Sequence, residues 1–80
     1  MTLPEADLDL DCRGMRCPLP VIRLANNIDD VPVGKVVAVV ADDAAARSDV
    51  PAWCRMRKQE YLGEGTAADG TPRYLVRRVR

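Results

Sequence analysis

Eighty residues with 48% hydrophobic side chains and balanced charge, 12 acidic and 12 basic, suit one small globular domain. That composition excludes a disordered chain and a membrane-spanning one. Histidine is absent, so a Cys-His dyad and imidazole metal ligation are excluded with it. A chain this short buries only about 60% of its unfolded surface. With no Phe and one Trp, the core must rest on Val, Leu, Ile and Ala.

In chain order, Leu8, Leu10 and Cys12 alternate with Asp7, Asp9, Asp11 and Arg13, a period of two that predicts a first strand ending at Gly14. The N-terminal stretch has neither a basic nor an apolar signal region, which predicts a cytoplasmic protein. From Pro18, residues Val21, Leu24, Ala25 and Ile28 form one helical stripe. Pro18 suits the first helical position and Pro20 the third, where a missing N–H costs nothing. Cys17 is then expected as the N-cap, and the helix should stop near Asp29-Asp30.

Lys35 to Ala41 is a Val-rich run, expected as a strand buried on both faces. It is also far short of a membrane span. Asp42-Asp43 reads as ordinary acids entering a helix. After a short Ala-rich turn, Asp49 is the expected cap of a second helix, with Pro51 in its first turn and an end near Lys58 or Gln59. Val50, Trp53, Cys54 and Arg57 share one of its faces. Glu60 to Thr66 predicts a third strand, Ala68-Asp69-Gly70 a hairpin turn, and Pro72 to Val79 a fourth strand. Residues 1–80 therefore read as one α/β domain, a two-layer sandwich in βαβαββ order. Two helices should cover one face of a four-stranded mixed sheet.

The cysteine spacing, 12-17-54, contains no CxxC, so the zinc and thioredoxin signatures fail and no metal site is expected. There is no Walker loop and no GxGxxG, so no nucleotide cofactor is expected either. What remains is thiol chemistry. An ordinary thiol is only about 3% ionised at pH 7, whereas a helix N-terminus favours the anion. Cys17 at such a terminus is expected to be an acidic nucleophile, with Leu19 donating its N–H to the sulfur and Arg13 and Arg16 adding positive charge. Cysteine caps a helix less well than Ser, Thr, Asp or Asn, so its use at that position points to chemistry. Cys12 and Cys54 fall on apolar faces and are expected in the core.

Charge is unevenly spread. Residues 1–50 carry nine acids and five bases, residues 51–80 three acids and seven bases. Arg55, Lys58, Arg77 and Arg78 are accordingly possible docking residues for an acidic partner, although two solvated faces would explain the same split.

The segment Gly14-Met15-Arg16-Cys17-Pro18-Leu19-Pro20 resembles the G-[LM]-x-C-P-x-P signature of the TusA/SirA sulfur carrier family. Ala41-Asp42-Asp43-Ala44 and Asp49-Val50-Pro51-Ala52-Trp53-Cys54 resemble the family's second block, with Ala44 in place of a usual Pro, and Tyr74 to Arg78 its closing strand. The resemblance implies a sulfurtransferase in which Cys17 carries sulfur as a persulfide, within a supporting motif of Gly14, Arg16, Pro18 and Pro20. It implies no bound cofactor of the chain's own, a cysteine desulfurase or other sulfur donor, and a downstream acceptor protein. No direct contact with nucleic acid and no insertion into a membrane are implied. Thiolation of transfer RNA, molybdenum-cofactor synthesis and sulfur metabolism are the family's settings. Two alternatives stand beside this reading: a non-catalytic adaptor or regulator docking through the CPxP loop, and a sulfur-accepting partner of a membrane thiosulfate importer.

Overall fold

The computed structural model describes residues 4–80; the first three residues of the expected domain lie outside the described part. Four strands form one mixed sheet in the order β1-β2-β4-β3: β1 Leu8–Asp11, β2 Val36–Val40, β3 Glu60–Thr66 and β4 Pro72–Arg77. Helices α1, Leu19–Asn27, and α2, Ala46–Arg57, complete the expected order, with a single 3-10 turn at Ile28–Asp30 after α1.

β2 lies in the middle because every one of its residues, Val36 to Val40, is buried. It pairs in parallel with β1, Leu10 opposite Val39, and antiparallel with β4, Val39 opposite Tyr74. A strand with an apolar residue at each position loses least when both of its faces and both of its edges are covered. β3 pairs antiparallel with β4, and the register slips between Tyr61 and Gly63.

Both helices lie on one face. Leu24 and Ile28 from the first helical segment and Ala46, Val50, Trp53 and Cys54 from α2 pack on Leu10, Cys12, Val37, Val39, Tyr74 and Val76. Alternate β2 residues face the other way, where Val36, Ala38 and Leu75 form a second small cluster backed by Ala6 and Leu62. Among the described residues no helix covers that face. Arg73 and Arg77 flank Leu75 on β4 and are held by Asp9 at 2.8 Å and Glu60 at 2.9 Å. Their aliphatic stems can shield apolar surface while their charged ends stay wet.

Several expected boundaries shift: β1 closes at Asp11 and does not run on to Gly14, and β2 spans Val36–Val40 inside the expected Lys35 to Ala41. The cap of α1 is Pro18, not Cys17, so Pro20 is the second helical residue and not the third. The cap of α2 is Ala45, not Asp49, because the second half of the stretch expected as a turn, Ala46 and Arg47, is already helical. Asp43 starts that helix by accepting the Ala45 N–H at 3.0 Å. Pro51 consequently sits inside the helix. The last strand closes at Arg77, two residues early, although Arg78 still donates its N–H to the Lys35 carbonyl at 2.9 Å.

Candidate functional site

Because β1 and β2 run in parallel, the loops that leave their C-terminal ends emerge side by side. One loop carries Gly14 to Pro18, the other Asp42 to Ala45. Gly14 turns the first loop with φ +78°, a left-handed conformation that costs glycine little. Its N–H donates to the Asp42 carboxylate at 3.1 and 3.2 Å. Two successive turns follow, Met15 N–H to the Cys12 carbonyl and Leu19 N–H to the Arg16 carbonyl. Cys17 is the second residue of the latter turn, at a corner ahead of the helix, and its peptide bond to Pro18 is cis.

That corner reverses the expected electrostatics. The Leu19 N–H is spent on the Arg16 carbonyl at 2.8 Å and does not serve the sulfur. Cys17 instead donates its S–H to Oδ2 of Asp49, 2.8 Å away on the first turn of α2. Its backbone N–H donates to Oδ2 of Asp43 at 2.7 Å. The thiol is therefore pushed above its ordinary range, first by the hydrogen bond to Asp49, then by desolvation and the charges of Asp49 and Asp43. The acidic thiol expected from the sequence is corrected on this point, because a carboxylate that accepts the S–H favours the protonated form. Asp43 shifts the other way: the N–H groups of Ala45 and Cys17 hold its carboxyl below the usual carboxylate range.

Arg13 offers no help to the sulfur. Its guanidinium is bound to Asp69 of the β3–β4 turn at 3.0 Å and to Asp11 at 3.2 Å. Arg16 acts on Asp43, where its charge favours the ionised carboxyl.

The three cysteines are free thiols with different surroundings. Cys17 is exposed, whereas Cys12 and Cys54 are fully within the core, as expected from the sequence. Burial pushes Cys12 up and Cys54 up to about 11. Neither is a competing nucleophile at neutral pH.

Beside Cys17 lies a shallow apolar pocket of about 250 Å³ lined by Pro18, Val21, Asp49, Ala52, Trp53 and Met56. Met56 is 75% exposed, and Leu19 and Ile22 are about half exposed on α1. Large apolar side chains around a reactive group are a usual sign of a docking surface. The pocket shares Trp53 and Met56 with a larger groove of about 420 Å³ that runs on to Arg57, Lys58 and Arg80. Among the described residues no group of His, Cys, Asp and Glu is arranged to hold a metal ion.

The expected docking residues divide. Lys58 lines the far end of the groove and Arg55 is exposed on the same helix. Arg77 is bound to Glu60, and Arg78 donates to the Val31 carbonyl at 2.7 Å and pairs with Asp29. Arg77 thus ties β4 to β3 and Arg78 ties the end of β4 to the segment after α1. Asp42, Asp43 and Asp49, read from the sequence as capping acids, are the groups that build the site. The signal was present in the strand order: a parallel β1–β2 pair brings the two loops together, so acids just after β2 meet the cysteine after β1.

Residues 8–78 match the profile of the family described as Sulfurtransferase TusA. The chain belongs to the TusA sulfurtransferase family. A protein of Archaeoglobus fulgidus named as a sulfur carrier protein is 35% identical over 71 residues, which cover 89% of this chain and 92% of that one. In three dimensions the chain is similar to the crystal structure of a SirA-like protein from Desulfitobacterium hafniense, with a TM-score of 0.76 and 20% identity. That likeness covers 91% of this chain and 99% of the other, and it shows a shared fold. Membership of this family assigns the chain a sulfur-transfer role. The family's CPxP segment is the corner that holds Cys17.

Proposed function

We propose that this TusA-family protein is a cytoplasmic sulfur carrier that takes sulfane sulfur onto Cys17 as a persulfide and passes it to an acceptor protein. The observation that carries the reading is the contrast among the thiols: Cys17 alone is exposed, on a loop tied at Gly14 and Cys17 to two aspartates, while Cys12 and Cys54 are sealed in the core. With no second thiol at the surface to resolve it, an internal disulfide cannot discharge a persulfide on Cys17. The sulfur must leave to another molecule.

Gly14, Pro18 and Pro20 shape the corner, and Arg16 supplies its nearest basic residue in sequence. The sulfur donor is a cysteine desulfurase or another persulfide-bearing protein, and the acceptor serves transfer-RNA thiolation, molybdenum-cofactor synthesis or sulfur metabolism. No helix among the described residues is long and apolar enough to cross a membrane, so an importer, if that is the setting, would supply the span. The exposed Met56 and Leu19 beside the thiol support protein docking in each setting. They equally favour the second reading, a docking adaptor.

Incubation with a cysteine desulfurase, cysteine and pyridoxal phosphate tests the proposal. The protein should gain the mass of one sulfur atom, located by peptide mapping on the fragment containing Cys17 and removed by reductant. Cys54→Ala should still load, and Cys17→Ala should not. Failure of wild-type protein to load from desulfurases and from thiosulfate-dependent donors would leave the adaptor reading in its place.

A further inference from the structure

The site contains a contradiction for a carrier. A nucleophile that must attack a persulfide is bound to a carboxylate that favours its protonated form, and the surrounding charges are mostly of the same sign. Asp49 reaches the sulfur from α2, Asp43 holds the backbone of the same residue, and Asp42 holds Gly14. On the cysteine's own loop Arg13 is engaged by Asp69 and Asp11, which leaves Arg16 as the local cation. Asp49 makes no helix cap; its carboxylate is directed at the sulfur across 32 residues of sequence.

The contradiction disappears when the two chemical states of the sulfur are compared. A thiol has a proton to give, and Asp49 accepts it in a hydrogen bond. A persulfide is more acidic than the thiol it comes from, so at neutral pH its terminal sulfur is largely anionic and has no proton to donate. The same carboxylate that attracts the first repels the second.

We propose that Asp49 is a positioning residue that distinguishes the empty carrier from the loaded one, holding the Cys17 thiol by its S–H and turning the anionic persulfide outward to the acceptor. This rests on the reading of Cys17 as the sulfur-bearing residue. On loading, the Cys17 sulfur bonds to the terminal sulfur of the donor persulfide, the donor's own S–S bond breaks, and the donor leaves as a thiolate that takes up the proton Cys17 gives up. On unloading, an acceptor thiol bonds to the terminal sulfur, the bond to Cys17 breaks, and Cys17 regains a proton and its hydrogen bond to Asp49. No oxidant or reductant is consumed in either step. A freshly unloaded Cys17 is held in the hydrogen-bonded state, which disfavours immediate return of the sulfur.

The test compares wild type with Asp49→Asn, whose amide can donate to an anionic sulfur, and with Asp49→Glu, which keeps the charge. Circular dichroism establishes that each variant is folded. The empty protein is alkylated with iodoacetamide across a range of pH. The loaded protein is prepared without any donor enzyme, by activating Cys17 as a mixed disulfide with a nitrobenzoate thiol and displacing that thiol with sulfide; sulfur release to dithiothreitol is then timed. Asp49→Asn should label several-fold faster at pH 7, with its profile moved to lower pH, and should release sulfur several-fold more slowly. Asp49→Glu should keep the wild-type order of both rates. Equal alkylation, or equal or faster release, in Asp49→Asn would overturn the proposal. Because loading here is chemical, failure of every biological donor would count against the carrier reading alone.

Discussion

Asp43 receives the backbone N–H of Cys17 at 2.7 Å on one carboxylate oxygen and the N–H of Ala45 at 3.0 Å on the other. One side chain thus fixes the cysteine corner and starts α2. Asp43→Asn should loosen both, seen as faster amide exchange at Cys17 and Ala45. The pH dependence has a definite sign. A carboxyl held low in the folded state contributes stability that is complete above the unfolded value, near pH 4, and is lost as the pH falls through the folded value. The stability advantage of wild type over Asp43→Asn should therefore be greatest at neutral pH and vanish in acid, as measured by denaturant midpoints.

Thiol accessibility should rank the cysteines. In native protein, iodoacetamide should modify Cys17 first, with a pH profile displaced above that of a simple thiol because of Asp49. Cys12 and Cys54 should react only when denaturant opens the core. Equal labelling of all three without denaturant would contradict the burial described here.

Leu24 is fully buried between α1 and the sheet. Leu24→Ala should cost about 2–5 kcal/mol, as large-to-small core changes do. In a domain of this size that is a large share of the total, and the urea midpoint should fall with it. Leu19→Ala, on the exposed side of the same helix, should leave the midpoint nearly unchanged.

The hairpin turn should carry its own acid sensitivity. The Asp69 carboxyl is held down to about 2, first by the Thr71 N–H and side chain and then by Arg13. That contribution is present above the ordinary carboxyl value and is lost as the pH drops from about 4 toward 2. Asp69→Asn should therefore flatten the stability profile of the protein in that window. A profile identical to wild type would show that the Arg13–Asp69 contact is too exposed to matter.

Basic residues should fall into two classes when their charge is reversed. Arg55→Glu and Lys58→Glu, on the exposed end of α2, should slow association with a sulfur-transfer partner at low salt and leave the fold intact. Arg78→Glu should instead destabilise the domain, since it removes the donor to the Val31 carbonyl and sets like charge against Asp29. Stopped-flow association and denaturation, measured on the same variants, separate the two.

The fold was readable because its signals are local and mutually consistent. The Val-rich run from Lys35 to Ala41 reads as a strand buried on both faces, and the stripe Val21, Leu24, Ala25 and Ile28 reads as one apolar helix face; the structure has both. The position of Cys17 was readable from the CPxP segment, but its electrostatics were not. Counting proline positions placed the cysteine on the helix tip; the turn closed by Leu19 N–H and the Arg16 carbonyl places it one step outside. The partner of its S–H lies 32 residues away, and only the parallel pairing of β1 and β2 brings that partner close. Likewise, the basic residues of the last strand looked available in sequence, yet Arg77 and Arg78 are consumed by pairings across the fold.

Cys17 stands on one rim of the sheet, where β1 and β2 end, and the sheet face away from the helices is closed by Arg73, Arg77 and their acidic partners. On the proposed relay, the molecule that delivers sulfur and the molecule that collects it would both approach Cys17 at this rim. Their visits exclude one another, so each transfer includes a departure. Tight binding by either would stall traffic, and an excess of empty acceptor would inhibit loading. Throughput is then set by how briefly each visitor stays, which favours a small, loosely held docking surface over a large and permanent one.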